Sequence, residues 1–221
     1  MARAVIFDVD GTLIDTVDLH AAAWVDTFRH FDLDVAYDAV RSQIGKGGDQ
    51  LMPVFLPPDM LEARGEEIET FRSELFKRDY LPKARGFPQV RDLFQRLKAD
   101  GVIIAIGSSC KADELPVYTD LADVTDLIDV KTTSDDAERS KPFPDIFQAA
   151  LEKLAPLTAS DVLVVGDSPF DAEAAGRAGL GAVGVLCGGF PEAELRAAGC
   201  RAIYADPAAI LASYAESELR L

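Results

Sequence analysis

The chain has 221 residues, 48% hydrophobic and 27% charged, which suits a globular protein of one domain or of one domain carrying an insertion. Its 22 Lys and Arg stand against 38 Asp and Glu, a net charge of -16 with an isoelectric point near 4.4. That field argues against nucleic acid and anionic membrane partners, which are bound through basic patches, and admits a phosphorylated ligand only beside local cations or a metal.

The first element in chain order is the apolar run Ala4-Phe7, which passes straight into Asp8, Asp10, Gly11 and Thr12. An unpaired carboxylate beside a buried strand is costly, so two of them one position apart need a purpose. The stretch 16–82 then carries helical patterns and no convincing strand. Trp24, Phe28 and Phe31 share one face, as do Ile68, Phe71 and Leu75, and the turn-rich Ile44-Gln50 and Leu56-Asp59 interrupt them. An all-helical insertion is expected there, leaving 1–15 and 83–221 as the core.

Beyond it, strand and helix alternate. Strands are predicted at Val102-Ile106, Val162-Val165 and Ala182-Leu186, with weaker ones at Ile128-Thr132 and Ala202-Tyr204. Helices are predicted around Val90-Leu97 (with Gly101 as its stop), around Ile146-Leu154, and over Phe170-Ala178. This alternation predicts an α/β fold, a Rossmann-like three-layer core with a parallel sheet covered on both faces, plus the helical cap. No apolar run approaches the ~18 residues of a membrane span, and the N-terminal apolar segment is too short for a signal-peptide core. Cys110, Cys187 and Cys200 are odd in number and form no CxxC, so free thiols in a reducing, cytoplasmic setting are expected.

Ligands of open α/β sheets bind outside the carboxyl ends of the strands. Those ends offer Asp8 and Asp10, then Ser108 and Ser109 after the second core strand, then Asp167 and Asp171; Lys141 lies in a loop before a helix. Clustered carboxylates repel one another unless a hard cation sits among them, and oxygen donors of this kind suit Mg2+. The lysine and a serine hydroxyl supply charge and a donor for phosphate oxygens, with Gly11 and Thr12 counted among the phosphate-binding group. One carboxylate could then act as nucleophile, and a second as acid and base if its surroundings hold its pKa up.

The motifs Asp8-Thr12, Ser108, Lys141 and Asp167-Asp171, in this order, resemble the four motifs of the haloacid dehalogenase superfamily. The helical insertion is similar to the cap of its phosphoglycolate phosphatase and β-phosphoglucomutase branch. The resemblance implies Asp8 as nucleophile and Asp10 as general acid and base. It implies Mg2+ held by Asp8, the Asp10 carbonyl and Asp167, with Asp171 in support, and Ser108 and Lys141 on the transferring phosphoryl group. Dehalogenases lack the second aspartate and phosphonoacetaldehyde hydrolases typically carry alanine there, so Asp10 argues for phosphoryl transfer to or from a small phosphorylated metabolite.

Other residues keep two readings. Asp8 and Asp10 alone would pass for turn caps, and Asp171 for a helix N-terminal residue. Gly45, Lys46 and Gly47 form either a ligand-approaching loop or an ordinary turn. His20 stands where the mutase branch carries a histidine, yet reads first as a surface or capping residue; Trp24 and Cys110 read as structural. Phosphatase, sugar-phosphate mutase and non-catalytic binding protein all remain open in that order. A monomer is expected, with a dimer not excluded.

Overall fold

The computed structural model describes residues 2–220. Six parallel strands form one sheet in the order β5-β4-β1-β6-β7-β8. They are β1 (Ala4–Phe7), β4 (Ile103–Gly107), β5 (Val130–Thr132), β6 (Val162–Gly166), β7 (Gly181–Val185) and β8 (Cys200–Tyr204). β1 is central, pairing Phe7 with Ile106 on one side and with Val165 on the other. After β5 the chain crosses β1 to begin β6, so the strand order reverses at β1 and opens a crevice at its carboxyl end.

The period of two along β1 sorts its side chains between two apolar layers. Val5 and Phe7 pack with Leu93, Phe94 and Leu97 of α5 (Val90–Ala99), and with Tyr118 of α6 (Leu115–Leu121) and Ile210 of α10 (Pro207–Ala212). Ala4 and Ile6 pack with Phe147 of α7 (Asp145–Lys153), Ala172 of α8 (Pro169–Arg177) and Leu195 of α9 (Glu192–Ala197). Burial on both faces explains why the central strands read as continuous apolar runs.

Between β1 and α5 lie α1 (Val17–His30), α2 (Tyr37–Arg41), α3 (Gly48–Phe55) and α4 (Pro58–Leu75), the last extended by a π-helical turn over Phe76–Tyr80. Val17, Ala21, Trp24 and Phe28 recur along one face of α1 and meet Val40, Leu51 and Ile68 in a third apolar cluster. A two-stranded antiparallel ribbon, β2 (Ile14–Asp15) with β3 (Arg85–Gly86), ties the start of this helical segment to its end. Strands of two residues carry no readable period, and sequence reasoning did not find them. It also missed the short helices α2, α6, α9 and α10, each seven residues or fewer. No helix among the described residues is long and apolar enough to cross a membrane.

Candidate active site

At the crevice the strand ends deliver four charged side chains into a nearly dry volume. Asp8 follows β1, and its N–H donates to the Val165 carbonyl at 2.9 Å, which pins it at the strand edge. Asp167 follows β6. Asp171 lies in the first turn of α8, where Ser168 caps the helix and Pro169 takes the first helical position. Lys141 enters from the loop before α7. Relative exposures are 4% for Asp8 and 1%, 2% and 1% for Asp167, Asp171 and Lys141.

Lys141 Nζ stands 2.5 Å from Asp8 Oδ1 and 2.7 Å from Asp171 Oδ1. Asp171 thus closes the capping box of α8 and also meets Lys141. Its Oδ2 accepts from the Ser168 N–H at 3.1 Å and hydroxyl at 2.6 Å, while Oδ1 faces the ammonium. Burial disfavours the charged lysine, but Asp171 and Asp8 outweigh it and raise its pKa. Burial pushes Asp8 up to about 7, against the pull of Lys141 and with Asp171 and Asp10 adding to the rise. Asp167 is raised well above the ordinary carboxylate range by burial and then by Asp171 and Asp8.

The three carboxylates each place an oxygen within 4.8 Å of the others. With one ammonium among them, the ionised cluster carries three negative charges and one positive, a net of two negative. Among the described residues, the Asp167 side chain receives only a 3.3 Å hydrogen bond from Thr12. Space around it is kept by two glycines: a β-carbon on Gly11, itself at φ +77°, would lie 2.4 Å from Asp167 Oδ2, and one on Gly188 would lie 1.7 Å away. A dry set of hard oxygen donors with that charge deficit fits a divalent cation.

Asp10 sits apart from this cluster, toward the helical segment. Its Oδ1 accepts from Thr16 Oγ1 at 2.6 Å and lies 3.0 Å from His20 Nε2. His20 stacks on Phe76, ring centroids 3.9 Å apart and planes nearly parallel. Burial pushes the Asp10 carboxyl up, but His20 and then Thr16 overcome it and hold it below the ordinary range. The expectation that its surroundings hold this pKa up is therefore corrected: two donors at one oxygen favour the carboxylate. His20 likewise is no surface residue, since its imidazole is turned onto Asp10.

One further expectation changes. Gly11 and Thr12 were counted as phosphate-binding, yet the Gly11 N–H donates to the Ile14 carbonyl at 2.8 Å and the Thr12 N–H to Val9 at 3.2 Å. The Thr12 hydroxyl, fully buried, is turned onto Asp167, so neither residue has a donor for a ligand. Ser108 Oγ accepts from the Cys110 N–H at 3.1 Å, while Ser109 lines the cleft that Asp8, Asp10 and Lys141 share. Ser108, whose hydroxyl proton is not used in that bond, lines an adjoining pocket together with Ser109. Cys110 is buried, and its burial raises its thiol pKa, as a structural residue requires.

The cleft has a volume of about 240 Å3 and is roofed by the helical segment. Gly45, Lys46 and Gly47 all line it, together with Trp24, Glu69 and Arg72. Lys46 Nζ donates to Gln43 Oε1 at 2.6 Å and lies 4.7 Å over the Phe170 ring; burial lowers its pKa. Trp24 is buried as read, but it also carries the Arg72 guanidinium 5.3 Å over its ring, and Arg72 pairs with Glu69 at 2.5 Å. Sequence reasoning missed Glu69, Arg72, Asp49 and Gly188. Two of them left a signal: Asp49 lies in the turn-rich Ile44-Gln50, and Gly188 and Gly189 follow closely on a predicted core strand, at the sheet edge where ligands bind.

Residues 5–185 match the profile of the family described as haloacid dehalogenase-like hydrolase. The chain is 31% identical over 183 residues to a phosphoglycolate phosphatase of Nitrosospira multiformis, covering 80% of each chain. It is 28% identical over 178 residues to the pyrophosphatase PpaX of Oceanobacillus iheyensis, again covering 80% of each. Its fold is similar to the crystal structure of a hydrolase from Pseudomonas syringae, with a TM-score of 0.87, 26% identity and coverage of 98% and 99%.

Proposed function

The chain belongs to the haloacid dehalogenase-like hydrolases, in the branch of phosphoglycolate phosphatase and β-phosphoglucomutase, and on that premise we propose that it is a Mg2+-dependent phosphatase of small phosphate monoesters working through an aspartyl-phosphate. The observation that carries the proposal is the cluster of Asp8, Asp167 and Asp171 around Lys141, short of two positive charges. Asp8, Asp167 and Asp171, with the Asp10 carbonyl, would hold the metal. Mg2+ bound there supplies the charge that offsets repulsion between these carboxylates and phosphoryl oxygens.

Asp8 is the nucleophile in this reading. Its backbone is fixed by β6 and its carboxylate held by Lys141. Lys141 binds the phosphoryl group, aided by Ser108 or its neighbour Ser109. The N–H groups of Val9 and Asp10, which have no acceptor among the described residues, replace Gly11 and Thr12 as backbone donors. Asp10, ionised in its resting contacts, acts as the base toward the water that cleaves the aspartyl-phosphate. For the first step it must carry a proton to the leaving oxygen, which requires release from Thr16 and His20. We read residues 16–82 as a cap domain over a core of 1–15 and 83–221, with the β2–β3 ribbon as hinge.

The test is Mg2+-dependent release of inorganic phosphate from a panel of phosphorylated sugars, acids and nucleotides. Asp8→Asn should eliminate release while leaving the circular-dichroism melt cooperative. Release that survives either EDTA or Asp8→Asn removes the reading. One observation favours a second reading, a sugar-phosphate mutase: the pairing of His20 with the acid-base candidate Asp10. Following inorganic phosphate against hexose 6-phosphate from a hexose 1-phosphate separates the two.

A further inference from the structure

The glycine-rich loop Ile44-Gln50 meets the core at the residues that flank the charged cluster. A β-carbon on Gly45, at φ +109°, would lie 2.7 Å from Ser168 Oγ, and one on Gly47 would lie 2.5 Å from Ser140 Oγ. On the other side of the loop, a β-carbon on Gly48 would lie 2.0 Å from Glu69 Oε2. The loop is therefore pressed between the core and α4 at every glycine. Ser168 directly follows Asp167, and Ser140 directly precedes Lys141. The glycines make room for protein, not for a ligand.

Ser140 is gripped by this loop through three hydrogen bonds. The Gly47 N–H donates to Ser140 Oγ at 3.0 Å, the Ser140 N–H donates to Asp49 Oδ2 at 3.1 Å, and the Ser140 hydroxyl donates to Asp49 Oδ1. Asp49 has no cationic partner among the described residues; its other donor is Gln50 Nε2 at 2.9 Å. A carboxylate lining the cleft of an anionic substrate opposes binding by simple charge, so its place there calls for a compensating role. That role is read from what it holds: the backbone one residue before the lysine that bridges Asp8 and Asp171.

We infer that Asp49 is a positioning residue of this site: through Ser140 it latches the closed loop onto the core and sets Lys141 against Asp8. The inference rests on the phosphoryl-transfer reading above. Docking of the helical segment and placement of the phosphate-binding ammonium thereby become one event. With the loop withdrawn, Ser140 loses all three bonds, and the backbone around Lys141 is left to its core contacts, the Arg139 N–H to Asp145 Oδ1 at 3.2 Å and Arg177 to the Pro142 carbonyl at 2.7 Å.

The experiment compares Asp49→Ala, Asp49→Asn, Ser140→Ala and the Asp49→Ala/Ser140→Ala double variant. Each is measured for kcat and KM on para-nitrophenyl phosphate with Mg2+, for thermal melting, and for amide hydrogen exchange without substrate. Asp49→Ala should lower kcat about 3- to 30-fold, the scale of one or two hydrogen bonds at an exposed rim, with a smaller change in KM. Asn, which keeps an acceptor, should recover part of the loss. The double variant should be no worse than the worse single one. The Ser140 and Gly47 amides should exchange faster in Asp49→Ala, with α7 unchanged and the melting temperature close to that of the parent. Additive losses, a loss confined to KM, or unaltered exchange at Ser140 would overturn the latch. Absence of phosphate release from the parent protein would sink the phosphatase reading instead, while the exchange measurement still scores the latch.

Discussion

Replacing Lys141 with Met isolates the electrostatic problem at the centre of this site. The ammonium is 1% exposed and lies within 2.7 Å of two carboxylates, with Asp167 completing the cluster. Methionine fills similar space but leaves three buried carboxylates without a cation. Breaking a buried pair from one side costs about 3–5 kcal/mol. At about 2–4 °C per kcal/mol for a chain of this size, the melting temperature at pH 8 in EDTA should fall by about 6–20 °C. The sign of the pH dependence follows from the raised carboxyls. A group whose folded pKa is raised stabilises the fold below its unfolded pKa, and that contribution is lost as pH rises through the folded value. Asp8, near 7 in the fold against 3.8 unperturbed, is protonated at pH 5.5, and Asp167 is shifted the same way. The cost of the substitution should therefore shrink by about 1.4 kcal/mol between pH 8 and pH 5.5, since parent and variant diverge only over the one pH unit above the Asp8 value, where the parent ionises and the variant does not. Circular-dichroism melts of parent and variant at both pH values decide it. Equal losses at the two pH values, or no loss at pH 8, would refute the account of the cluster as a carboxylate crowd held by one ammonium.

Mg2+ should raise the melting temperature of the parent protein, and by more at pH 8 than at pH 5.5, because the metal must displace protons from Asp8 and Asp167; equal shifts would place binding elsewhere. Gly188→Ala puts a methyl group into Asp167 and should weaken Mg2+ binding by at least about tenfold, on the scale of a lost positioning contact, as read by calorimetry. His20→Ala removes the largest influence that lowers the Asp10 pKa, and Asp10 must carry a proton in the first step, so the alkaline limb of the kcat/KM profile should move to higher pH; an unmoved limb would detach His20 from Asp10 chemistry.

The chemical inventory was legible in the chain because it follows from local rules. A four-residue apolar run buried on both faces has to be a strand, and its end is where Asp8 must emerge. The same reasoning located Asp167 after β6 and Asp171 in the first turn of α8. Period and spacing speak only for neighbours along the chain, however. Whether the Thr12 hydroxyl turns to Asp167, 155 residues away, depends on which strands pair, as does the pocket that Ser108 and Ser109 line together. Asp10 shows the limit most clearly. Its residue type allowed an acid or a base, and the arrival of His20 on α1, with Thr16, holds it as a carboxylate at rest against the effect of burial. The loop of glycines is another case, since a flexible turn and a tightly seated one have the same composition, and only the approach of Ser140 and Ser168 tells them apart. The sequence by itself determined which groups stand at the sheet edge, because backbone period is a local property. The tertiary structure alone decided their protonation and partners, because those depend on charges and close contacts brought together from distant parts of the chain.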